Sequence, residues 1–201
     1  GIDGKTKDRK APDKFSLFWF SQTIGPGRGL ELFAEAAGQL PDANVEFHFR
    51  GRIFGNYGEE LRALFPERHR ASVYFHDLVP HSELLSRIAE HDIGLALEQT
   101  HCASRDLTIT NKIIQYLHGG IPVLASDTGG QREVAKMAPE AVRTFRHDSA
   151  GDLAEVLRGM MNRGWIDSGR SAARKITEEV FCWEKSAPVL VDSVNTALEA
   201  A

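Results

Sequence analysis

Only two cysteines occur, Cys102 and Cys182. They are too few and too far apart for a zinc site or a disulfide framework, so two free thiols in a reducing compartment, the cytoplasm, are expected. No apolar run approaches the roughly 18 residues that a membrane-spanning helix needs, and no apolar signal region follows the N-terminal charges. Basic charge is not in excess either. With 24 Lys and Arg against 28 Asp and Glu the net charge is −4, at a pI near 6.1, and the basic footprint of a nucleic-acid binder is missing. The short basic run of Lys5, Lys7, Arg9 and Lys10 reads as a solvated linker. His76, His81, His91 and His101 fall at no metal-ligand spacing on one face, and there is no Asp-x-Asp pair, so no divalent metal is expected. Internal repeats and low-complexity tracts are absent.

What is present is an ordinary globular composition, 42% hydrophobic and 26% charged over 201 residues, enough for one large domain with a real core. Residues 1–14 are rich in Gly, Asp, Lys and Pro without periodicity, and read as a linker that something precedes; residues 15–201 read as one domain. Phe15-Ser-Leu-Phe-Trp-Phe20 is an aromatic strand, followed by the turn Gly25-Pro-Gly-Arg-Gly29 and a helix over residues 30–40 with Leu30, Phe33, Ala34 and Ala37 on one face. The unit repeats: strand 45–50, a Gly-rich loop to Gly58, a helix through Leu61 and Leu64, strand 72–76, helix 82–90, strand 93–97, then a long loop. Ile113, Ile114 and Leu117 fall at helical spacing, Gly119-Gly120 closes that helix, Pro122-Val-Leu-Ala125 is a strand, Asp127-Thr-Gly-Gly130 turns the chain, and residues 142–145 form a sixth strand. Strands alternating with helices imply right-handed crossovers and a Rossmann-like α/β fold, a doubly wound parallel sheet with helices on both faces. A capping box at Ser149-Ala-Gly-Asp152 opens the first of three closing helices. The last of these, from Lys185 onward, is expected to bury Val189, Leu190, Val194 and Leu198, with Trp183 packing beside it.

In such a sheet, ligands bind at the carboxyl ends of the strands. There Gly25, Gly27 and Gly29 allow close backbone approach, and Arg28 supplies a planar donor suited to phosphate. A helix N-terminus at Thr110, Asn111 and Lys112 offers backbone N–H groups and an ammonium to an anion. Gln115 can hydrogen-bond a ribose diol as donor and acceptor. Glu98, closing the fourth strand, is a rim carboxylate, solvated or in ligand contact. A dinucleotide-dependent oxidoreductase fails on spacing. Its Gly-x-Gly-x-x-Gly would need glycine where Leu30 stands, and the second strand ends at Arg50-Gly51 instead of an acidic ribose ligand.

The segment from Thr110 to Gly130 resembles the C-terminal donor-binding domain of group 1 retaining glycosyltransferases (family 4, GT-B fold), in which a helix leads into a Tyr-Leu-x-x-Gly-x-Pro-Val strand. Other motifs follow in the family's order. Arg28-Gly29 matches the Lys-Gly of Gly-Arg-Leu-x-x-x-Lys-Gly, with Thr23 where the family has Arg. Residues 73–79 match Val-x-Phe-x-Gly-x-Val, which places Leu78 and Val79 in the loop that contacts the base. Phe181-Cys-Trp-Glu-Lys-Ser-Ala187 matches Phe-x-Trp-x-x-x-Ala, where the last helix crosses back to the other domain. The family's Glu-x7-Glu pair is replaced by Leu107 and Gln115. The resemblance implies a metal-independent, cofactor-free enzyme transferring a hexose-type sugar from a nucleotide diphosphate-sugar to a glycan or lipid, as in polysaccharide biosynthesis. It makes Arg28 and Lys112 the catalytic cations that stabilise the departing diphosphate. The acceptor site, and any membrane-surface association, would belong to an N-terminal domain outside this chain, leaving the isolated domain inactive. The alternative is a non-catalytic binding domain that kept the fold and lost the carboxylate pair.

Overall fold

The aromatic run beginning at Phe15 extends as the first strand, β1 (Phe15–Ile24), and alternation sends its side chains to two different helical layers. The computed structural model describes residues 8–9, 11, 13–40 and 44–199; Lys5, Lys7 and Lys10 of the expected linker lie outside them. In chain order the elements are β1, α1 (Leu30–Ala37), β2 (Val45–Ile53), α2 (Tyr57–Leu64), α3 (Glu67–Arg70), β3 (Val73–His76), α4 (His81–Ile88), β4 (Ile93–Ala96), α5 (Ala103–Leu107), α6 (Asn111–His118), β5 (Val123–Ser126), α7 (Gly129–Met137), β6 (Val142–Phe145), α8 (Ala150–Met160), α9 (Arg163–Glu179) and α10 (Trp183–Glu199). The six strands form one sheet in the order β3-β2-β1-β4-β5-β6, with every pairing parallel. This is the expected doubly wound sheet.

One layer packs Leu30 and Phe33 of α1, Leu61 of α2 and Leu153 and Leu157 of α8 on Leu17, Trp19, Phe47, Phe49 and Leu95. The other packs Ile88 of α4, Ile113, Tyr116 and Leu117 of α6, Val134 of α7 and Ala173 of α9 on Phe18, Ala96, Val123 and Ala125. Because the crossovers reverse direction between β1 and β4, the helices part there and leave a crevice at the carboxyl ends of the strands.

Several boundaries differ from the sequence reading, for identifiable reasons. β1 and β2 run on to Ile24 and Ile53 because their ladder resumes after an irregularity between Phe20 and Thr23: Phe20 pairs with Arg50, and Thr23 with Arg52. One extra residue in β1 turns Ser21 and Gln22 toward the crevice, as a bulge does. The opposing strand accommodates it with Gly51, where a Cβ would lie 2.6 Å from the Ser21 carbonyl oxygen. The long loop after β4 contains the single-turn α5, whose Asp106 Oδ1 accepts the Gly129 N–H at 3.0 Å. Ser149 caps α8 as expected, accepting the Asp152 N–H at 3.2 Å.

Two expectations are corrected. Asp8 and Arg9 do not belong to a solvated linker: Asp8 is buried, and Arg9 forms an ion pair with Asp92 at 3.1 Å. Charge composition alone could not reveal that a buried arginine, Arg50, and a buried carboxylate, Asp92, await them. Val189, Leu190, Val194, Leu198 and Trp183 of α10 are exposed, not buried. Apolar periodicity shows that a helix has an apolar face, but not that the same chain supplies a cover, and no buried residue lies on α10.

Candidate functional site

The crevice is a cleft of about 420 Å³ lined by Phe20, Ser21, Gln22, Arg50, Leu78, Val79, His81, Leu84, Asn111, Lys112 and Gln115. Four segments build it: the irregular end of β1, the end of β2, the β3–α4 connection with the first turn of α4, and the first turns of α6. The expected residues Leu78, Val79, Asn111, Lys112 and Gln115 therefore come together. On α6, Asn111, Lys112 and Gln115 fall at i, i+1 and i+4, so one helix presents all three near its amino end.

Thr110 is the N-cap of α6 in extended conformation, and its side chain makes no capping bond. Its Oγ1 is buried without a hydrogen-bond partner among the described residues. The first-turn N–H groups thus face the cleft uncapped by that hydroxyl, with the positive end of the helix dipole behind them. Lys112 is not a free surface cation. Its Nζ lies 2.6 Å from Glu98 Oε1, with both side chains largely buried, and 5.9 Å from the centre of the Trp19 ring. Glu98 is accordingly a partner that fixes the ammonium at the cleft mouth.

The glycine loop lies beside this cleft, since Gly25, Gly27 and Gly29 are absent from its lining. Gly29 is required where the loop meets the end of β4: its φ is +76°, and a Cβ there would lie 2.6 Å from the Leu97 carbonyl oxygen. The Gly27 N–H points to Glu31 Oε1 at 3.4 Å, and the same oxygen accepts the Tyr57 hydroxyl at 2.5 Å. Burial, reinforced by that carboxylate, raises the Tyr57 pKa. The Gly27 N–H of the loop therefore already faces a carboxylate. Arg28 nevertheless reaches the cleft wall, donating to Ser21 Oγ at 3.2 Å.

Sequence reasoning did not anticipate the roles of Ser21, Gln22, His81 and Arg50. Arg50 was visible only as the end of the second strand. It donates to the Asp77 carbonyl and to the Asp8 carboxylate, and its Nε has no partner among the described residues. Behind it lies a buried polar cluster. His48 Nδ1 is 2.9 Å from His76 Nε2, His48 Nε2 is 3.2 Å from Glu46, and His91 Nδ1 is 2.7 Å from Ser16 Oγ. Burial works to raise the Asp8 carboxyl, but His91, Arg50 and His76 outweigh it and hold Asp8 well below the usual carboxylate range. On His91 burial acts in the opposite direction and depresses the imidazole. Among the described residues no group of three or more His, Cys, Asp or Glu could hold a metal ion, and no helix is long and apolar enough to cross a membrane.

The sequence matches no protein-family model and no curated protein. The structure matches several solved ones. It resembles Anabaena HepE in complex with UDP and glucose at 17% identity and a TM-score of 0.72, over 92% of this chain and 49% of that one. It resembles sucrose-phosphate synthase from Thermosynechococcus elongatus at 17% identity and a TM-score of 0.74, over 94% and 47%. The C-terminal domain of a group 1 glycosyl transferase (LpcC) from Francisella tularensis matches at 14% identity and a TM-score of 0.67, over 86% of this chain and 88% of that one. The fold is that of group 1 GT-B glycosyltransferases. The chain spans about half the length of the first two of these neighbours, and nearly the whole of the isolated GT-B C-terminal domain.

Proposed function

We propose that this domain binds the nucleotide diphosphate-sugar donor of a retaining, hexose-transferring glycosyltransferase of the group 1 family. The observation that carries the reading is the convergence in one cleft, at the topological switch point, of an open helix N-terminus and an oriented ammonium with two apolar loop residues and an amide. Leu78 and Val79 would receive the base, Gln115 the ribose hydroxyls, and the α6 N-terminus with Asn111 and Lys112 the diphosphate. Arg28 would turn from Ser21 to the phosphates, and the loop of Gly25, Gly27 and Gly29 would move only if Glu31 gave way. Catalysis would be electrostatic and need no metal: Lys112 and Arg28 would stabilise charge as it grows on the departing diphosphate. Glu98 holds Lys112 in place and also repels an anion, so it sets how strongly the site attracts phosphate.

The acceptor would be bound by an N-terminal domain, without which this half would bind the donor weakly and transfer nothing. Binding without catalysis is the second reading. It is favoured by Leu107, which is 72% exposed at the position that resembles the first Glu of the family's carboxylate pair, where it offers a sugar no charge. Calorimetry with uridine, adenosine and guanosine diphosphates tests the shared step. One of them is expected to bind in the millimolar range or tighter, Lys112→Ala to weaken it about ten-fold, the scale of one charge-assisted contact, and Glu98→Gln to tighten it. Absence of heat for all three at millimolar concentration would sink the reading. Joining the natural N-terminal domain and assaying sugar transfer would separate the two alternatives.

A further inference from the structure

Arg50 and Asp8 are buried together, with 5% and 7% of their side chains exposed. Arg50 is part of the cleft wall; Asp8 belongs to the segment that leads into β1. That segment is fastened at several points. The Asp8 N–H donates to Glu90 Oε2 at 2.7 Å, and Arg9 pairs with Asp92 at 3.1 Å. On its other side the Arg50 guanidinium holds the Asp77 carbonyl, at the point where the β2–β3 ladder ends with Arg50 opposite His76. Leu78 and Val79, which follow directly, form one apolar wall of the cleft. A guanidinium is a rigid plane whose donors move together, so a shift at the Asp8 end is transmitted to the Asp77 end.

We infer that Asp8 and Arg50 form a latch that couples the seating of the incoming segment to the position of the Leu78–Val79 wall. Asp8 orients Arg50, Arg50 fixes the Asp77 carbonyl, and that carbonyl sets where the wall stands. Both are positioning residues. The cleft is complete on its base side only when the segment is seated, and a ligand that presses on the wall strengthens the seating in return, because coupling between two sites is reciprocal. This rests on the proposed reading of the cleft as a nucleoside diphosphate site, with the base against Leu78 and Val79.

The test uses the full chain and its Asp8→Asn variant, with uridine, adenosine and guanosine diphosphates and with inorganic pyrophosphate as the base-free probe. Asp8→Asn is expected to weaken the tightest nucleoside diphosphate about ten-fold, within the usual range of coupling between sites, and to leave pyrophosphate unchanged. Equal losses for both, or none for either, would overturn the latch. Arg50→Lys, which keeps the charge but cannot span both partners, is expected to weaken the nucleoside diphosphate as well, and no loss there would count against the latch; because Arg50 itself lines the cleft, the pyrophosphate comparison is made in Asp8→Asn alone. Amide exchange in the ligand-free protein supplies a readout independent of nucleotide. Leu78 and Val79 should exchange faster in Asp8→Asn while Val123–Ser126 is unaffected, and unchanged exchange at Leu78 and Val79 would refute the latch. If the unmodified chain binds no nucleoside diphosphate, the donor-site reading falls, and the exchange result still decides the latch.

Discussion

The two faces of the β1-β2-β3 half of the sheet are made by the same strands and are buried to a similar depth, yet they are opposite in chemistry. One carries Trp19, Phe47 and Phe49 beneath Phe33 and Phe65, with Phe47 and Phe65 ring centres 4.9 Å apart. The other carries Ser16, Glu46, His48 and Arg50, all buried, with Phe18 of β1 stacked on His91 among them. The apolar face is held by non-directional contacts, each small and many in number. The polar face is held by a few directional bonds, each of which repays a desolvation cost only when its partner is in place. A face of that kind stands or falls with its geometry, and here its outer end, Arg50, forms part of the cleft. The apolar face contributes mass and cohesion; the polar face fixes positions where a ligand would be received.

Breaking the apolar face should have the largest effect. Phe47→Ala removes a ring with no exposed surface and is expected to lower the unfolding free energy by about 3–5 kcal/mol in urea titration. A loss below about 1.5 kcal/mol would mean that the aromatic layer relaxes around the hole instead of being close-packed. Glu46→Ala on the polar face should have a smaller effect, about 1–3 kcal/mol, the cost of leaving a buried hydrogen-bonding partner, here His48, unsatisfied. A neutral or stabilising result would show that the cluster is tuned for position at no benefit to stability.

The mildest perturbation is acid, which acts on the polar face through His91 and Asp8 and, beyond it, on Asp127, whose carboxyl burial works to raise and His147 holds low. His91 is depressed by burial, so below about pH 6.5, the ordinary histidine value, the unfolded chain takes up a proton that the folded chain resists, and stability falls as pH falls. Asp8 is also depressed, with burial opposed and outweighed by His91, Arg50 and His76. Its contribution is full above the ordinary carboxylate value of about 3.9 and is lost as pH drops below it toward the lowered folded value. Thermal unfolding from pH 8 to pH 3 should therefore show two successive losses, and Asp8→Asn should blunt the second. A flat profile in the unmodified protein would contradict both assignments.

The strand and helix sequence was readable because alternating units carry strong periodic patterns; of the cleft, Asn111, Lys112 and Gln115 were readable from the helix start, and Leu78 and Val79 from the family resemblance. Leu78, Val79, Asn111, Lys112 and Gln115 all lie just beyond strand ends or in the first turns of α6. Ser21 and Gln22 were not, since a one-residue irregularity in β1 depends on how it pairs with β2. Glu46, His48 and Arg50 alternate with Val45, Phe47 and Phe49, a pattern that marks two faces without saying whether the polar one meets water or a second layer. The apolar stripe of α10 posed the converse problem, because its periodicity was real and its cover is not among the described residues.

Periodicity, glycine turns and the order of strands and helices thus settled the doubly wound architecture and the end of the sheet at which to look for a site. These are local properties, fixed by backbone sterics and by which side chains avoid water. The pairing of Lys112 with Glu98, the hydrogen bond of Tyr57 to Glu31, and the burial of Asp8 against Arg50 came from the tertiary structure alone. Each joins residues from separate elements, and an ion pair or a buried hydrogen bond depends on a distance and a local dielectric that no spacing along the chain encodes.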